Sequence, residues 1–145
     1  MKRLFFFLLH SNLGDKANDY AILCFRILIS VELICVHGLK KLGIGVAVAE
    51  VVPNPIGFPD FLNDSIAITA NLTAPIFIIF GLGTRLASAL VLCVTLTGLL
   101  AMHLHDDPMV RDIPFIYSCC FGFLLLVGSG RFSLDRSIRN QIKVT

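Results

Sequence analysis

Four apolar runs constrain this chain more than any other feature. They cover residues 20–39, 66–83, 86–104 and 113–128. A spanning helix needs about 20 mostly apolar residues, within a range of about 17 to 25. The first three runs meet that length. The fourth is a turn short, and Ser129 and Phe132 can extend it. In lipid only helices or closed barrels satisfy their own backbone, and barrel strands alternate apolar with polar residues. These runs do not alternate. The sequence therefore predicts an all-α fold, an integral membrane four-helix transmembrane bundle, as a single domain over residues 1–145.

Composition agrees with that expectation. Of 145 residues, 56% are hydrophobic and 15% charged, and mean hydropathy is +0.83. Soluble domains carry roughly half apolar and about a quarter charged residues. The net charge of +2 is small and the basic residues are dispersed, which argues against a nucleic-acid partner. The five cysteines (Cys24, Cys35, Cys93, Cys119 and Cys120) all fall in apolar runs, with no C-x-x-C and no zinc-ligand spacing. They read as small apolar filler, with a transient disulfide or thiol relay as the alternative. At the N-terminus, Lys2 and Arg3 precede a short apolar stretch with Phe5, Phe6 and Phe7. It is too short for a signal peptide and reads as an uncleaved interfacial segment.

Punctuation sets the expected boundaries. Asp64 and Ser65 suit a cap for the second helix, and Asp112 followed by Pro114 suits the start of the fourth. "GLGTR" (Gly81 to Arg85) reads as a tight turn, and "GSGR" (Gly128 to Arg131) ends the last helix. In the connection from Gly43 to Asn63, "VAVAEVV" suits a short interfacial helix. "PNPIGFPDF" cannot be helical throughout, because Pro53, Pro55 and Pro59 interrupt it. With both termini in the cytoplasm, that side carries Lys2, Arg3, Lys16, Arg85, Arg131, Arg136, Arg139 and Lys143. The other side carries only Lys40, Lys41 and Arg111. The excess favours both termini inside.

Ionisable groups inside spans are costly and normally face the bundle or a wet cavity. On an ideal helix Arg26 and His37, eleven residues apart, nearly share a face, and Lys41 lies one turn beyond His37. The three form a candidate polar stripe on the first helix. Snorkelling of Arg26 to the headgroups and anchoring by Lys41 are the alternatives. Glu32 points elsewhere and needs a partner on another helix or a place near the interface. Asn71 is a candidate polar contact in the second helix. Asp112 serves either as an N-cap or as a partner for the stripe. His103 and His105, beside Asp106 and Asp107, form a weak metal-like pattern that reads better as a solvated helix end. No Rossmann fingerprint, P-loop or nucleophile elbow is present.

Together these motifs resemble the DoxX family of small four-helix bacterial membrane proteins. The resemblance rests on Arg26 followed by His37-Gly38 and Lys41-Leu42, on Gly57-Phe58-Pro59, on Gly81 to Arg85, and on Gly128 to Asp135. Family members usually carry a glutamate where this chain has Asn71, and another where it has Asp112. The resemblance implies a membrane subunit of a quinone-linked or thiol/sulfur-linked redox complex, with a protein partner and an outward-opening polar pocket. Arg26, His37, Lys41, Asn71 and Asp112 are its candidate ligand-binding residues, with Glu32 and His103 as weaker ones. A quinone is the candidate cofactor and no metal is expected. The alternative is a non-catalytic membrane scaffold or small-solute carrier.

Overall fold

The structure, a computed structural model, describes residues 14–142. The interfacial reading of Phe5 to Phe7 lies outside the described residues. Four helices are long and apolar enough to cross a membrane: α1 (Gly14–Lys41), α2 (Asp60–Phe80), α3 (Thr84–Met102) and α4 (Pro108–Val127). A short fifth helix, α5 (Leu134–Ile142), follows. Among the described residues there is no strand. The all-α membrane bundle stands.

Three expected boundaries are corrected. The second helix starts at Asp60, not at Asp64-Ser65. Pro59 precedes it with an extended backbone, and its carbonyl already accepts from the N–H groups of Leu62 and Asn63. Asp64 and Ser65 thus lie one turn inside. The fourth helix starts at Pro108, because the Asp107 carboxylate accepts from the Met109 N–H at 3.1 Å. Pro108 at the first position lacks an N–H that would have had no helical partner there. Asp112 is therefore a residue of the second turn and not a cap, and Pro114 lies inside the helix. Residues 46–52 form no helix. The Glu50 N–H bonds the Lys40 carbonyl, folding the loop back on the end of α1. Asn63 then holds the Pro53 carbonyl at 3.2 Å, tying the loop to α2.

The α2–α3 turn forms as expected. Gly81 and Gly83 both adopt left-handed backbone, with φ of 69° and 58°. Residues with a Cβ resist that conformation. The core draws on all four spans: Leu33 of α1, Ala74 and Ile78 of α2, Val91 of α3, and Tyr117, Phe121 and Leu124 of α4. Phe25 of α1 meets Phe123 of α4 edge-on, closing the ring of helices. Large apolar side chains such as Leu28, Phe80, Leu86, Leu100 and Leu126 point outward, as lipid-facing side chains do. So do Cys24, Cys35, Cys93 and Cys119, while Cys120 is half-buried. This suits their reading as apolar filler.

Three spans contain one wide turn each, at Ile34–Gly38, Thr69–Thr73 and Gly98–Met102. In such π-turns the hydrogen bonds reach five residues instead of four, so the helix faces beyond them shift.

Candidate functional site

The polar residues singled out in the sequence separate into two groups at opposite ends of the bundle. At one end the wide turn of α1 carries His37. Its ring meets the Tyr117 ring of α4 edge-on, with centroids 5.5 Å apart. Tyr117 is buried and stacks in turn on Phe121. Neither the His37 ring nor the Tyr117 hydroxyl hydrogen-bonds another described residue. One turn on, the Lys41 side chain is only 9% exposed, and its Nζ pairs with Glu50 at 3.6 Å. The loop carboxylate thus supplies the counter-charge of a lysine whose side chain is largely covered. Glu32 is exposed on the outside of α1.

Gly38 lets α1 lie directly on the backbone of α2. A Cβ there would sit 2.5 Å from the Asn71 carbonyl oxygen. The wide turns of α1 and α2 therefore abut. Asn71 is 7% exposed, and its amide donates to the Ala67 carbonyl of its own helix at 2.7 Å. It supplies a donor within α2 instead of bridging helices. Asp112 is exposed and has no ion pair among the described residues. His103 pairs with Asp106 at 2.8 Å, which ends α3 in a local polar contact. Among the described residues no three His, Cys, Asp or Glu side chains come together to hold a metal ion.

Arg26 belongs to the other end, and the stripe drawn on an ideal helix does not form one site. Its eleven-residue separation from His37 is roughly 16 Å of helix rise, and the two side chains diverge further at their ends. The guanidinium, 2% exposed, donates to the carbonyl oxygen of Ser129 at 2.7 Å and to that of Phe132. Gly81 leaves room for it, since a Cβ there would overlap Nη1. The Asp135 carboxylate accepts from the N–H groups of Gly83 (2.8 Å) and Thr84 (3.4 Å), and the Asp135 N–H bonds the Gly81 carbonyl. It caps α3 from the far end of the chain, where the helix exposes unsatisfied donors. Arg131 closes the ring by pairing with Asp15 (3.3 Å) and Asp19 (3.2 Å) of α1. Three motifs far apart in sequence thus build one latch that ties the chain after α4 to α1 and to the α2–α3 turn.

Sequence reasoning passed over Tyr117 and Glu50. Little in its apolar run marks out Tyr117, whose burial and ring contact only the structure reveals. Nothing local marked Glu50 as the partner of Lys41, because the loop fold decides it.

The DoxX family model matches residues 21–104, more than half of the chain. The closing Gly128-to-Asp135 motif and Asp112 lie beyond that match. No curated protein and no solved structure matches the chain.

Proposed function

The chain belongs to the DoxX family, and from that premise we propose that it is the membrane subunit of a redox complex that holds a quinone between the outer end of α1 and the middle of α4. The observation that carries this reading is the contact of His37 with Tyr117 beside the covered Lys41. A quinone, when bound, accepts and returns electrons together with protons. His37 suits the proton part, since imidazole changes charge near neutral pH. The Tyr117 hydroxyl can donate a hydrogen bond to a ring oxygen, and the Lys41 ammonium, shared with Glu50, lies one turn beyond His37. The packed core beside this site, Leu33 and Phe121 among its residues, is apolar, as the surroundings of a lipid-soluble ligand are. Arg26 and Asp112 take no part in this site. The electron partner in this reading is a separate protein.

The distribution of Lys and Arg supports both termini facing the cytoplasm of a bacterial inner membrane. The His37 end then opens away from the cytoplasm.

Quinone binding to protein in nanodiscs tests the reading, with wild type beside His37→Ala and Tyr117→Phe. We expect saturable binding by wild type, abolished in His37→Ala and weakened in Tyr117→Phe, with melting temperatures little changed. Absent wild-type binding, or equal binding by all three, overturns it and favours a scaffold or carrier.

A further inference from the structure

The latch end also carries a cleft that the proposed quinone site does not use. Its volume is about 520 Å³, and its walls include Arg85, Arg131, Arg136, Arg139, Asp19 and Asp135. That volume lies within the range of about 300–1,000 Å³ common for small-ligand sites. Four arginines face two carboxylates, and both carboxylates are already engaged. Asp19 pairs with Arg131 and also accepts from its backbone N–H, while Asp135 caps α3. Arg85 spends one nitrogen on the Leu126 carbonyl, a neutral acceptor. Arg136 and Arg139 have no acidic partner among the described residues. The cleft is therefore positive, with guanidinium groups still able to donate.

Helix α5 fixes the depth of this cleft relative to the bilayer. Leu134, Ile138 and Ile142 recur every four residues and all three are exposed. At 100° per residue they span about 80° of the helix surface; Arg136 lies on the opposite side, and Arg139 lies on the flank of the stripe, about 60° beyond Ile142. A short helix with an apolar stripe and a basic face lies in the interface, its stripe at the boundary of the acyl chains. The cleft beside it then opens at the level of the lipid headgroups.

We propose that this cleft binds a phosphate-bearing anion, with Arg136 and Arg139 as its main donors. Guanidinium forks match phosphate oxygens in pairs, which an ammonium does not. The phosphodiester of an anionic lipid and free inorganic phosphate share this chemistry.

Native mass spectrometry of the delipidated full chain distinguishes them. The probes are phosphatidylglycerol, phosphatidylcholine and sodium phosphate. The variants are Arg136→Gln/Arg139→Gln and a charge-matched control, Lys16→Gln/Lys40→Gln, whose lysines are exposed and outside the cleft. We expect wild type and the control to retain one phosphatidylglycerol, and the arginine variant to bind it about tenfold or more weakly. Phosphatidylcholine should be lost from all three. If phosphate, not lipid, gives the arginine-dependent binding, the site stands and its ligand is the free anion. Equal losses in the arginine variant and the lysine control would overturn the proposal in favour of diffuse surface charge. So would retention of phosphatidylglycerol unchanged in the arginine variant. Equal melting temperatures of the variants in phosphatidylcholine nanodiscs exclude unfolding as the cause of a loss.

Discussion

At the scale of single residues, the most informative side chain is Arg26. A charge inside a span invites a functional reading, yet this one is consumed by two backbone carbonyls, those of Ser129 and Phe132. Its planar fork reaches both at once, which the single ammonium of a lysine does less well. Arg26→Met should lower stability by about 1.5–3 kcal/mol, the usual worth of a hydrogen bond to a charged group, because it strands two carbonyls. Arg26→Lys should melt between wild type and Arg26→Met. Thermal melting in nanodiscs checks both, and added quinone should not rescue either variant. A quinone-dependent rescue of Arg26→Lys would return Arg26 to the ligand site. Tyr117 is the opposite case. Little in its apolar run marks it out, and it gains its interest only from the ring it faces.

At the scale of elements, the wide turns of α1 and α2 decide how closely those helices meet. Gly38 sits where they touch, and the atom opposite it is a backbone carbonyl that cannot swing aside. Gly38→Ala should therefore destabilise the protein by about 1–3 kcal/mol, the common cost of overpacking. Gly122 in α4 provides the contrast, since a Cβ added there would have as its nearest neighbours the Leu92 methyl groups, at 4.0 Å. Gly122→Ala should melt at or slightly above the wild-type temperature, because alanine favours a helix over glycine. Equal melting of the two variants would mean that the α1–α2 contact yields more readily than a backbone carbonyl should. The fourth helix offers a second lesson at this scale. Pro114 removes an N–H from its interior, and the Ser118 hydroxyl lies within bonding distance of both the Pro114 carbonyl (2.7 Å) and Thr95 of α3 (2.9 Å). A local defect and a cross-helix contact thus share one side chain.

At the scale of the whole molecule, an even number of spans returns the chain to the side where it began. The contact of Arg131 with Asp15 and Asp19 shows the two ends of the described chain meeting there. Single cysteines at Asp106 and at Arg139, in a background with the five native cysteines changed to alanine, test the orientation. A membrane-impermeant thiol reagent should label Asp106→Cys in intact spheroplasts and Arg139→Cys only after lysis. The reverse pattern would invert the protein, and would place the His37 end in the cytoplasm.

The sequence by itself determined the number of spans, the all-α class and the family. The reason is local: in lipid each helix must satisfy its own backbone, so length and hydropathy are sufficient to reveal it. The positions of the tight turns were legible for a similar reason, since Gly81, Gly83 and Gly128 permit backbone that other residues resist. What the tertiary structure alone decided was the company each polar side chain keeps. Arg26 finds its acceptor 103 residues away, and Lys41 finds Glu50 only because the loop folds back. The pattern that aligned Arg26 with His37 assumed an unbroken helix and side chains pointing one way. Such pairings depend on packing between distant segments, and periodicity along one helix carries no information about them.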